Sequence, residues 1–153
     1  MNNEKIAVVL NDLLHITNDR IAGFERVEGK VWESYSDMKG EYEHMISESK
    51  IMKNELINMI SEKGGKPDDS ASAAGAIHRA WIDLKNSLPV GNKEQSTLEN
   101  VIYGEKIAVS AYQDVLNSGE LCSESSKMVT EHLRKITESY TKFKNIENYK
   151  NNS

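Results

Sequence analysis

The feature that most constrains this chain is the run Gly64-Gly65-Lys66-Pro67, which stands between two long stretches of helical periodicity. Paired glycines supply the left-handed conformation that ends a helix, and a proline just beyond prevents its resumption. Elsewhere breakers are scarce: 153 residues contain two prolines and nine glycines, so few turns can be made. With 38% apolar and 28% charged residues, this favours a few long amphipathic helices over a strand-rich fold.

Residues 4–28 read as a first helix, because Ile6, Val9, Leu10, Leu13, Ile16, Thr17, Ile21, Phe24 and Val27 recur at spacings of three and four. The phase is lost over 29–36, which predicts a bend or loop with Trp32 and Tyr35 plugging the bundle end. A second helix is expected over 37–63, on a near-heptad stripe of Met38, Tyr42, Met45, Ser49, Met52, Leu56 and Met59. Glu41, Glu48 and Glu55 repeat every seven residues along its flank. After the breakers, Ser70 or Ser72 can cap a shorter helix over 71–88 that ends at Pro89. Residues 93–117 carry a stripe that includes Leu98, Ile102, Glu105, Ala108, Tyr112 and Val115. Ser123 can cap a last helix over 124–147, striped by Val129, His132, Leu133, Ile136, Tyr140, Phe143 and Ile146, with a frayed tail over 148–153.

The four long helices, each about 25 residues and so roughly 38 Å long, form two short-loop hairpins joined by a segment over 64–92. That pattern predicts an all-α, ferritin-like four-helix bundle: one domain over 1–153, two antiparallel hairpins, and a long crossover containing a short fifth helix. A plain five-helix bundle is the alternative. Nineteen Lys and Arg are scattered among 24 Asp and Glu, for a net charge of −5, which argues against a general nucleic-acid binder. The N-terminus is interrupted by charge and amide too often for a signal peptide, and no window is long enough for a membrane span, so the expected setting is cytoplasmic. Cys122 is the single cysteine, which excludes an internal disulfide; it reads as an incidental free thiol ahead of a helix.

The stretch from Gly64 to Lys85 resembles a bacterial family of ferritin-like four-helix-bundle proteins of unassigned function. The residues that carry the likeness are Gly64, Gly65, Pro67, Asp69, Ser70, Gly75, His78, Arg79, Trp81, Asp83, Leu84 and Lys85. Leu10 to Leu13, Gly23-Phe24, Glu55-Leu56, Gly104-Glu105 and Ala111-Tyr112 extend it along the chain. The resemblance implies a fold and a bacterial cytosolic setting, and no activity.

A di-iron bundle needs a Glu from each of two helices and a Glu-x-x-His pair from each of the other two, because two cations require several anionic oxygens and two imidazoles at one level. Where those ligands would align, this chain has Ile21, Ile51, Ile102, Thr137 and Tyr140. With the register slipped by a turn, the remaining metal candidates are Asp19, Glu48, Glu105 and His132. Glu41-x-x-His44 and Asp12-x-x-His15 have the right spacing but read as solvated pairs. Glu105 lies within an apolar stripe, where an unpaired carboxylate is costly, so a buried partner such as Arg20, Tyr140 or Tyr42 is expected.

On the crossover, Arg79 and Asp83 are i, i+4 partners, and His78 with Trp81 reads as a clamp holding the segment to the bundle. No nucleophile or phosphate-binding loop accompanies His78. The reading that follows is a non-enzymatic bundle with a degenerate metal site and no cofactor. The alternatives are an iron or manganese protein of metal or oxidative-stress handling, and an interaction module. A homodimer or a protein partner at the crossover surface is the partner expectation.

Overall fold

The three- and four-residue apolar spacing resolves into α1 (Asn3–Ser34), α2 (Lys39–Glu62), α3 (Lys93–Asn117) and α4 (Ser123–Asn151). The structure is a computed structural model and describes residues 3–34, 39–67 and 93–151. Among the described residues there is no strand, and no helix is long and apolar enough to cross a membrane. The crossover helix expected over 71–88 lies outside the described residues, as do Tyr35 and the Trp32 side chain.

Two boundaries differ from expectation. The first helix runs on through the predicted bend to Ser34, and the last runs through the predicted frayed tail to Asn151. Neither stretch contains a proline, so nothing removes a backbone donor, and Gly29 alone costs only about 1 kcal/mol in a helix.

Cross-helix contacts set the directions. Ala7 lies beside Gly65 and the Phe24 ring beside Tyr42, so α1 and α2 are antiparallel. Thr17 meets Tyr112 and Arg20 meets Glu105, which makes α1 and α3 antiparallel. Glu55 reaches His132 and Glu41 reaches Lys142, so α2 and α4 are antiparallel too. The main packed pairs are α1 with α2 and α3 with α4, and α1–α3 and α2–α4 contacts close the ring. It follows that α2 and α3 run the same way, so the end of α2 and the start of α3 lie at opposite ends of the bundle.

The exit from α2 is a Schellman turn. Gly64 has φ of 79°, its N–H donates to Ser61 O at 3.0 Å, and Gly65 N–H donates to Ile60 O at 3.0 Å. At the other hairpin, α4 is capped by Cys122 and not by Ser123. Cys122 N–H donates to Ser125 Oγ at 3.0 Å while Ser125 N–H points back to Cys122 Sγ at 3.5 Å, a capping box with a thiol in the usual hydroxyl position.

The core falls into two apolar clusters. One contains Leu10, Leu13, Met52, Leu56, Ala108, Val115, Val129 and Ile136. The other is aromatic, with Phe24, Tyr42 and Phe143 at centroid separations of 5.1–6.1 Å, plus Met45 and Ile102. What separates them is polar.

Candidate functional site

Every helix contributes one buried polar side chain between the two clusters: Arg20 from α1, Ser49 from α2, Glu105 from α3 and Ser139 from α4. The antiparallel register brings them to one level, since on each helix the polar position follows the last residue of one cluster and precedes the first of the other. The layer is dominated by a two-pronged ion pair. Arg20 Nε donates to Glu105 Oε1 at 2.6 Å, and Arg20 Nη2 donates to Glu105 Oε2 at 2.8 Å. The planar guanidinium matches both carboxylate oxygens, which is why Arg and not Lys suits this position. Its Cζ also lies 5.6 Å from the Phe24 ring centroid, on the boundary with the aromatic cluster.

Burial by itself disfavours a charged guanidinium, yet the charge and hydrogen bonds of Glu105 outweigh it, with smaller help from Tyr112 and Glu48. The net effect is to hold Arg20 above its ordinary pKa, so it is a permanent cation. Tyr112 is buried one step away, where desolvation raises its pKa and the 3.2 Å hydrogen bond with Thr17 opposes that rise. Of the partners expected for Glu105, the structure selects Arg20. Arg20 Nη1 and Ser139 Oγ are buried with no hydrogen-bond partner among the described residues.

The four metal candidates are not brought together. Glu105 is taken up by Arg20. Glu48 is half-buried on α2 and meets His44 at 3.3 Å, close enough to Arg20 to act on it through space. His132 is buried a layer away and its Nε2 lies 3.1 Å from Glu55 Oε1, against the Tyr112 ring at 6.3 Å. Desolvation lowers the His132 pKa against the opposing pull of Glu55, so the ring is neutral at pH 7. Asp19 is adjacent in sequence to Arg20 and so is turned about 100° around the helix from it.

The residues that replace the ligands also differ from expectation. Ile21 and Ile102 are buried, as a filled interior requires, but Ile51 and Thr137 face solvent. Those two were aligned on the wrong helix face, and the polar level is built instead on Ser49 and Ser139. The two acid–histidine pairs behave differently from each other. Glu41 pairs with Lys142 at 3.0 Å while His44 is 58% exposed, so that pair is split across the surface. Asp12 and His15 are both buried, which overturns the reading of that pair as solvated.

Of the crossover motif, Gly64, Gly65 and Pro67 are described, and Asp69, Ser70, His78, Arg79, Trp81, Asp83 and Lys85 lie outside the described residues. Arg20 is among the partners expected for Glu105, whereas Ser49 is expected only as a stripe residue and Ser139 is not singled out at all. The signal for Ser139 was present, since Ser125, Val129, His132, Ile136, Ser139 and Phe143 alternate at spacings of four and three and all are buried. The signal for Arg20 is indirect, coming from the need of Glu105 for a partner, because a long cationic side chain at the edge of a stripe by itself reads as surface.

A family model described as "Domain of unknown function (DUF2383)" matches residues 5–118, from the first turn of α1 to one residue past α3. The chain belongs to that family. Family membership assigns no activity, and the match stops short of α4, which supplies Ser139 and His132. No curated protein matches the chain, and no solved structure does.

Iron or manganese, the metals that the ferritin-like resemblance brings in, would need free anionic oxygens converging at one level. Both oxygens of the one fully buried carboxylate in the polar layer are bound by a guanidinium. Among the described residues no three His, Cys, Asp or Glu side chains converge as a metal site would require. The donor set of the described residues does not fit such a metal, and no reaction step is derived through one.

Proposed function

We propose that this protein is a ferritin-like four-helix bundle that carries out no metal chemistry at its centre, a fixed ion pair standing where such bundles place their metal ligands. The observation that carries the reading is the clamp of Arg20 on both oxygens of Glu105, buried between the two halves of the core. A guanidinium supplies the positive charge that a cation would otherwise supply, and it cannot exchange, oxidise or be removed by a chelator. The shared direction of α2 and α3, with their joined ends at opposite ends of the bundle, supports the one-crossover topology. A bundle of this kind acts through the surfaces it presents, as a homodimer or toward a protein partner.

The test is metal analysis of untagged protein after loading with ferrous iron or manganese, followed by desalting. The expected result is no stoichiometric metal in the wild-type chain. Stoichiometric iron or manganese that is lost in Glu105→Ala or Glu48→Ala would overturn the proposal in favour of a metal-handling protein.

A further inference from the structure

The clamp on Glu105 leaves one end of the Arg20 guanidinium over. Nε and Nη2 share the edge that faces Glu105, so the planar group turns Nη1 and its two hydrogens away from that carboxylate and from α3. Nη1 has no hydrogen-bond partner among the described residues, and the Arg20 side chain is only 3% exposed. Ser139 Oγ is in the same condition, on a residue 1% exposed. Buried donors and acceptors are almost always paired, with protein or with ordered water, so two such atoms in one layer point to a shared partner.

The register brings the two toward each other. Glu55 with His132 and Glu41 with Lys142 tie α2 to α4, and Ser49 and Ser139 both lie between those contacts. Ala7 beside Gly65 and Phe24 beside Tyr42 bracket Arg20 and Ser49 in the same way on α1 and α2. Arg20 therefore enters the layer with a serine on α2 and another on α4. One turn to either side, the same stripes carry Met45 and Met52 on α2 and Ile136 and Phe143 on α4, all buried. Serine at both positions gives up, at this level, most of the side-chain volume that fills the levels above and below.

We propose that the central layer is a binding site for one internal water molecule, held by Arg20 Nη1 and Ser139 Oγ with the Ser49 hydroxyl as its third partner. The guest must accept from a guanidinium and exchange hydrogen bonds with hydroxyls, and a buried water typically makes about three such bonds. Charge selects a neutral guest. Glu105 already balances Arg20 and Glu48 acts on it through space as well, so an anion meets no surplus of positive charge, while a cation would face hydrogen-bond donors. His132 Nδ1 is also buried without a partner among the described residues, but it lies seven residues from Ser139, about 10 Å along α4, too far to share the same molecule. The water extends the clamp into a chain from Glu105 through Arg20 to Ser139. That chain joins α1 to α4, which are not among the main packed pairs of the bundle.

The inference rests on the metal-free reading of this layer, and one experiment separates the two. It is a high-resolution crystal structure of the full untagged chain, grown after loading with manganese. The expected result is a solvent peak without anomalous signal at hydrogen-bond distance, about 2.7–3.2 Å, from both Arg20 Nη1 and Ser139 Oγ. A dry layer with the Arg20–Glu105 clamp intact overturns the water site and leaves the metal-free reading standing. An anomalous peak bound by Glu105 overturns both. In solution, oxygen-17 relaxation dispersion counts long-lived internal waters, and Ser139→Val, which fills the site and removes the hydroxyl, should lower the count by one. An unchanged count in a variant that keeps its helical circular dichroism overturns the proposal; if the variant fails to fold, the crystal structure of the parent chain decides.

Discussion

Replacing Arg20 by methionine keeps most of the side-chain volume in the polar layer and removes only the positive charge and its two hydrogen bonds. Glu105 is then left buried and uncompensated, with both oxygens losing donors now at 2.6 and 2.8 Å. Breaking a buried pair by removing one partner costs about 3–5 kcal/mol, because the remaining charge keeps its desolvation penalty without the attraction that offset it. The direct attraction gives the same scale: about 4 kcal/mol for unit charges roughly 4 Å apart at an effective dielectric of about 20. For a chain of this length about 1 kcal/mol shifts Tm by roughly 2–4 °C, so Arg20→Met should melt roughly 6–20 °C below the parent. The assay is thermal and urea unfolding followed by circular dichroism at 222 nm. The control is Arg20→Met/Glu105→Leu, which replaces the pair with apolar groups and should recover most of the loss or exceed the parent, since buried pairs are often no more stabilising than well-packed hydrophobes. A loss below about 1 kcal/mol in Arg20→Met, or a double variant as unstable as the sum of the two singles, would show that the pair is not the isolated buried clamp described.

His132 sets a pH dependence. Burial holds its folded pKa below the ordinary 6.5, so the unfolded chain binds the proton more readily; stability is full above about pH 6.5 and falls as the pH is lowered through the folded value. Melting between pH 7.5 and 5 should show this slope, flattened in His132→Gln; an identical slope in the variant refutes the assignment. Cys122 has a thiol pKa lowered to about 7, chiefly by the Ser125 hydroxyl and then by its backbone N–H. The rate of alkylation by iodoacetamide should therefore inflect near pH 7 and move upward in Ser125→Ala, and an unchanged profile would exclude the Ser125 contact as its cause. Gly65→Ala should destabilise by about 1–3 kcal/mol, since its Cβ would meet Ala7 and Ile60 at 2.6 and 3.2 Å; neutral unfolding data would mean α1 yields at that contact.

Much of the candidate site was legible in part. Glu105 stood out because a carboxylate inside the stripe of Ala108, Tyr112 and Val115 demands a partner. Arg20 is one of three partners the sequence offers, and the choice among them is not legible, because Arg20 lies 85 residues away and on its own helix resembles a surface residue at the edge of the stripe. The same limit hid the buried state of Asp12 and His15. Their spacing is that of a solvated pair, and only the folded chain shows both side chains buried, at 4% and 3% exposure. Family membership added neither partner nor chemistry, since the family is one of unknown function.

By itself the sequence determined the number of long helices, the faces they bury and the turn at Gly64. These follow from local rules: apolar residues recurring every three or four positions, and a glycine where the backbone must take positive φ, here 79°. Tertiary structure alone decided that the centre of the bundle is an ion pair. A charge can stay buried only where an opposite charge arrives with matching geometry, and that arrival depends on the antiparallel register of α1 and α3, which no single helix contains.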